Sequence, residues 1–141
     1  LDEDMKARLE GLKVHHSIAY SRQRLGFELT QKEQQALAGA YHPLVRTLPG
    51  SGRKSLYLAS HASTIVSWPV PEARMLLQEL IEHATQPQFV FSHRWRVGDL
   101  VIWDNRATMH RATPFDDKSH IRDMRRVTTL DIDRGAGAGL A

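Results

Sequence analysis

Apolar positions along this chain recur with two different periods, and the switches between them mark its elements. Leu1, Met5, Leu9 and Leu12 fall at helical spacing with charges between them, which predicts an amphipathic helix over residues 1–14. His15 and His16 follow at its end. Neighbours on a helix point apart, so the pair reads as a polar helix terminus and not as a chelate. Residues 17–29 are mixed and polar, with Gly26 as a breaker, and read as a loop. Thr30 followed three residues later by Glu33 predicts a capped helix over residues 31–40. Tyr41-His42-Pro43 ends it. Short strands over residues 44–47 and 54–59 flank the turn signal Pro49-Gly50-Ser51-Gly52 and predict a hairpin.

The clearest helix is predicted over residues 70–85. Pro71 suits a first turn and Glu72 the positive helix end. Met75, Leu76, Leu80, Ile81 and Ala84 form one stripe, with His83 off it and solvated, and Pro87 stops the element. A period of two then begins. Phe89, Phe91, His93, Trp95 and Val97 alternate with Val90, Ser92, Arg94 and Arg96, which predicts a half-buried strand with His93 packed and hydrogen-bonded on its aromatic face. The run Leu100-Val101-Ile102-Trp103 reads as a buried strand with Trp103 in the core. Residues 122–131 alternate again, with Arg122, Met124, Arg126, Thr128 and Leu130 on one face. Ala136-Gly137-Ala138-Gly139 predicts a disordered tail over residues 135–141, leaving 1–134 as the folded part. Short strands with helices beside them point to a mainly β fold, a sandwich or jelly roll with flanking helices.

Composition narrows the function. No cysteine occurs, so disulfides and thiolate metal sites are excluded. No apolar run reaches the length of a membrane span. The net charge of +3 is modest, and no basic run is interleaved with aromatics in the manner of a nucleic-acid surface. The arginines cluster toward the C-terminus, which favours a small anionic molecule as partner. A cytoplasmic location is expected, and the composition is compatible with a homo-oligomer.

The chemistry concentrates in residues 98–130, GDLVIWDNRATMHRATPFDDKSHIRDMRRVTTL. The order is strand, turn, one histidine at 110, a polar loop, then a strand bearing arginines. Arg122 and Arg126 on one strand face would stand about 13 Å apart, too far to clamp one small carboxylate together and suited to two different anions. Arginine fits that task because its planar fork binds a carboxylate bidentately and keeps its charge.

WDNRATMHRATPFDD, followed by RDMRRVTTL, closely resembles the C-terminal signature of the Fe(II)- and 2-oxoglutarate-dependent dioxygenases of the TauD/TfdA family. HPLVRTLPGSGRKSLYLASHAS upstream also resembles that family, most of all the branch acting on 2,4-dichlorophenoxyacetate and related aryloxyalkanoates. The resemblance runs from about residue 1 to 132. It implies a double-stranded β-helix, with Fe(II) held by a His-x-Asp pair and a distal histidine that matches His110. It implies that Arg122 pairs with the far carboxylate of the cosubstrate 2-oxoglutarate, that Arg126 pairs with the anionic group of the substrate, and that His61, which by itself reads equally as a loop histidine bonded to backbone, faces the substrate. The implied reaction uses O2, yields succinate and CO2, and opens the substrate ether to a phenol and glyoxylate.

One departure from the family pattern stands out. None of the eight histidines is followed by x-Asp or x-Glu, so two of the three iron ligands are missing. The expectation is a C-terminal portion of the dioxygenase domain that does not turn over alone, since such an iron needs two histidines and a carboxylate. Two other readings remain beside it. A sulfonate or alkyl sulfate would suit Arg126 as well as a carboxylate, and a non-catalytic jelly-roll module could use the same arginines to bind an anion or a partner.

Overall fold

The computed structural model describes residues 1–129, which fall into two units: Leu1–His110, and the described part of Arg111–Ala141. The first unit begins with α1 (Glu3–Leu9). Asp2 caps it, Oδ1 accepting from the Met5 N–H at 2.8 Å, and Glu3 and Asp4 complement the positive end of the helix dipole. The helix expected over residues 1–14 stops early. Gly11 takes φ +76°, which costs a glycine little, and the chain turns into β1 (Lys13–His16). Val14 and His16 point inward there. His15 and His16 therefore lie on opposite faces of a strand and not at a helix end. Ladder partners on both sides of β1 decide this, and helical spacing in the sequence could not reveal them.

Those partners are β2 (Ala40–Pro43) and β5 (Ala62–Ile65), in an antiparallel sheet of order β2-β1-β5. Val14 pairs with His42 on one side and Ile65 on the other. Neither β2 nor β5 was expected. Ser17 then caps α2 (Ile18–Arg24), its Oγ accepting from the Tyr20 N–H at 3.2 Å, across residues expected to be loop. α3 (Gln31–Ala36) carries the expected capping box. Thr30 Oγ1 accepts from the Glu33 N–H, and Glu33 accepts from the Thr30 N–H at 2.9 Å. It ends before residue 40, which already belongs to β2.

The hairpin of β3 (Val45–Thr47) and β4 (Lys54–Leu56) forms as expected, closed by Leu48 N–H donating to Arg53 C=O at 2.8 Å. It joins the sheet region through Leu44, whose N–H donates to Leu12 C=O at 2.8 Å and whose C=O accepts from Tyr57 N–H at 2.7 Å. α4 (Val70–Ala84) lies against the same core. Its buried residues are Ala73, Leu76, Leu77 and Leu80, spaced i, i+3, i+4, i+7. They pack with Leu9, Val14, Leu44, Leu58 and Ile65. Each fully buried aliphatic side chain contributes about 1.5–3 kcal/mol. Met75, expected in the stripe, is 73% exposed because the inward face is centred on Ala73 and Leu77. His83 is half-buried, its ring 5.5 Å from that of Phe89, and not solvated as expected.

Among the described residues no strand follows Ile65. The strands expected over 89–97, 100–103 and 122–131, the last as far as residue 129, are not formed. A strand exists through its ladder, and these segments have no strand beside them. Val97, Leu100 and Ile102 stand exposed, and Trp103 is 37% exposed instead of lying in the core. His93 is hydrogen-bonded, Nε2 to Asp99 Oδ2 at 2.9 Å, and T-shaped against Trp95 at 4.9 Å, but it is exposed and packs into no core. The architecture is sheet plus helices. No helix among the described residues is long and apolar enough to cross a membrane. The expected tail over 135–141 lies outside the described residues.

Candidate active site

His61, expected at the substrate, stands directly before β5 in a cluster of rings from three separate segments. His16 of β1 meets His61 edge to face with centroids 5.1 Å apart, and meets His42 of β2 in the same manner at 5.5 Å. Tyr57, just after β4, is 5.0 Å from His16 and 5.3 Å from His42. Arg46 of β3 covers the cluster. Its guanidinium carbon is 3.7 Å from the Tyr57 ring centroid, and Nη2 donates to His42 Nδ1 at 3.0 Å. Arginine has only donors, so His42 Nδ1 must accept and its proton resides on Nε2. The backbone ties the cluster down, since Ser17 N–H donates to His61 C=O at 2.8 Å.

Burial governs the charge of these rings. His16 is 6% exposed, and neither of its ring nitrogens has a hydrogen-bond partner. Burial, with His61 and His42 beside it, pushes its pKa down to about 4. Burial also lowers His42, helped by the Arg46 cation, and lowers His61, helped by His42. At neutral pH all three rings are therefore neutral. They offer N–H donors and lone pairs, and no positive charge.

The opposite face of β1 is built differently. His15 Nε2–H donates to Ala38 C=O at 2.8 Å, and the Ser63 hydroxyl lies 2.9 Å from the His15 C=O and 3.0 Å from its Nδ1. Gly39 makes this approach feasible. It takes φ +84°, and a Cβ there would lie 2.2 Å from His16 O.

His110 ends the first unit in residues without regular secondary structure, exposed, with its ring 4.7 Å from Trp103. The turn before it is ordered by Asp104. That carboxylate accepts from Arg106 N–H at 2.8 Å and from its Nη2 at 2.8 Å, and the Arg106 side chain holds the Asp104 pKa down to about 2. Trp103 Nε1 donates to Asn105 at 2.9 Å, and Ser55 Oγ of β4 donates to Arg106 C=O at 3.2 Å. The turn is thereby fastened to the hairpin.

Arg122 and Arg126 lie in the second unit, both exposed and on no strand, so the shared strand face expected for them is not formed. Arg122 has its guanidinium 5.8 Å from the Phe115 ring and Nε 3.0 Å from Met124 Sδ.

Iron fits these residues only in part. His110 is an exposed imidazole able to coordinate, but among the described residues no three histidine, aspartate or glutamate side chains gather into a metal site. One imidazole does not make a facial triad. His61 and His110 stand out in the sequence through the resemblance, whereas His16, His42, Arg46 and Tyr57, which the fold gathers around His61, do not. Their one local signal was His42 and Arg46 in a single short run.

Residues 1–128 match the family described as "Taurine catabolism dioxygenase TauD, TfdA family". The chain is 50% identical over 131 residues to an alpha-ketoglutarate-dependent 2,4-dichlorophenoxyacetate dioxygenase of Burkholderia sp. (strain RASC), covering 92% of this chain and 44% of the relative. It is 42% identical over 123 residues to an (S)-phenoxypropionate/alpha-ketoglutarate-dioxygenase of Sphingobium herbicidovorans, covering 82% of this chain and 43% of the relative. The crystal structure of AAD-2 in complex with Mn(II) and N-oxalylglycine superposes with a TM-score of 0.84 at 54% identity, over 89% of this chain and 50% of that one. The chain spans about half the length of the relatives it matches. With the match running through the His110 motif and back to the first residue, the chain belongs to the TauD/TfdA family of dioxygenases.

Proposed function

We propose that this chain is part of an Fe(II)- and 2-oxoglutarate-dependent dioxygenase that opens the ether of 2,4-dichlorophenoxyacetate-type acids. The observation that carries this reading is the 50% identity over 131 residues to an enzyme of that name. N-oxalylglycine, held by a structural relative at 54% identity, is 2-oxoglutarate with one methylene replaced by NH, which supports 2-oxoglutarate as cosubstrate.

In this reading His110 is the distal iron ligand. The His-x-Asp pair comes from outside these 141 residues, since the motif is absent from them. Bound Fe(II) supplies the activation of O2. Arg122 pairs with the distal carboxylate of 2-oxoglutarate and Arg126 with the carboxylate of the substrate. His61, neutral through burial, contributes a hydrogen bond to the substrate and no charge. The substrate carbon beside the ether oxygen gains a hydroxyl while 2-oxoglutarate becomes succinate and CO2. The resulting hemiacetal collapses to a phenol and glyoxylate, or to a phenol and pyruvate from a propionate side chain. This chain's groups hold and orient the anions, while the metal carries the oxidative chemistry. The alternating residues 89–97 and, as far as they are described, 122–129 are strands of a jelly roll in the whole, cytoplasmic enzyme.

The test uses the full protein that carries this chain, with Fe(II), 2-oxoglutarate and 2,4-dichlorophenoxyacetate. Succinate and phenol are expected to appear together, and His110→Ala is expected to lose both bound iron and turnover. Normal iron content with full activity in that variant would refute the reading.

A further inference from the structure

We infer that His16 is a positioning residue that fixes the ring of His61 against the substrate, an inference that rests on the reading of His61 as substrate-facing. It begins in the strand register. Along β1 and β5, His15 pairs with Thr64 but His16 pairs with Ala62, so Ser63 is the extra residue of a bulge. Bulges re-aim side chains, and this one brings the residue before Ala62 alongside β1. The Ser17 N–H then takes the His61 C=O at 2.8 Å, and the Ser63 hydroxyl donates to the His15 C=O at 2.9 Å. The backbone at His61 is thus pinned from β1. The rings of His61 and His16 lie T-shaped with centroids 5.1 Å apart and planes at 65°.

The choice of side chain at position 16 is the second observation. A buried imidazole with both nitrogens unpartnered is disfavoured, and an apolar side chain would fill the space without that penalty. What the imidazole adds is a flat, polar-edged ring that meets His61 and His42 edge to face at once. In this inference His16 acts on the substrate through His61.

The experiment is a double-mutant cycle in the full protein, with His16→Phe, His61→Ala and the pair together, assayed with 2,4-dichlorophenoxyacetate. His16→Phe keeps a ring and removes its nitrogens. It is expected to raise KM for the aryloxy acid roughly tenfold while leaving KM for 2-oxoglutarate within about twofold, and to add nothing in the His61→Ala background. If His16→Phe does not fold, His16→Gln is read in the same cycle with the same expectations. Full additivity with His61→Ala, an equal rise in both KM values, or no rise in either overturns the inference. An active His61→Ala enzyme with unchanged KM for the acid overturns the inference by removing its premise. That result is distinguishable, because it appears in the single His61 variant before His16 is touched.

Discussion

Arg46 donates to Nδ1 of His42 at 3.0 Å while its guanidinium lies 3.7 Å from the centroid of the Tyr57 ring. One cation thus sets a tautomer and caps an aromatic ring, and it keeps positive charge off the imidazole beneath it. Arg46→Met retains most of the aliphatic stem and removes the cation. The His42 pKa, lowered by burial and then by Arg46, is expected to rise toward the ordinary histidine value. Stability is expected to fall by roughly 1–2 kcal/mol through the lost cation–π contact and hydrogen bond. Histidine ring titration followed by NMR reads the first effect, and an unchanged His42 midpoint would exclude Arg46 as its cause.

The cluster makes stability depend on pH with a definite sign. His16 has its folded-state pKa depressed to about 4, below the ordinary value of 6.5. Between those values the unfolded chain binds the proton and the folded chain does not, so stability rises with pH across that window. Falling from pH 7 to 4 is expected to cost on the order of 3 kcal/mol from His16. His42 and His61 shift in the same direction and add to the slope. Urea melts at pH 7, 5.5 and 4.5 measure it. His16→Phe is expected to flatten the curve, and an identical slope in that variant would assign the dependence to other groups.

Gly39 and Gly11 share positive φ but differ in what surrounds them. A Cβ at Gly39 would lie 2.2 Å from His16 O, whereas nothing lies within 4 Å of one at Gly11. Gly11→Ala is expected to cost about 1–2 kcal/mol, the price of a left-handed alanine. Gly39→Ala adds a backbone clash and is expected to cost roughly twice that or more. Comparable denaturation midpoints for the two variants would show that β1 can move away from a Cβ at residue 39.

The proposed function gives Arg122 and Arg126 different anions. In the full protein Arg122→Ala is expected to weaken 2-oxoglutarate selectively and Arg126→Ala the aryloxy acid, each by about 2–5 kcal/mol. Separate KM measurements for the two substrates decide it. Equal weakening of both by both variants would undo the assignment.

Several features were legible in the sequence because their causes are local. The Thr30–Glu33 capping box spans three residues, and the hairpin turn is written in Pro49-Gly50-Ser51-Gly52. α4 carries Pro71 in its first turn, ends before Pro87 and has an apolar face at helical spacing. The motif around His110 pointed to the family because the residue types and their order carry that signal themselves. Strand pairing is different. Val14 becomes part of a strand because His42 and Ile65 flank it, and no local pattern near residue 14 names those partners. The same dependence explains residues 89–97, whose clean alternation forms no strand where no ladder partner stands beside them. The histidine cluster was decided by tertiary structure alone. His16, His42 and His61 come from β1, β2 and the residue before β5, and a bulge between β1 and β5 sets the contact of His16 with His61. Turns and caps depend on near neighbours along the chain, while ladders and ring contacts depend on which distant segments meet.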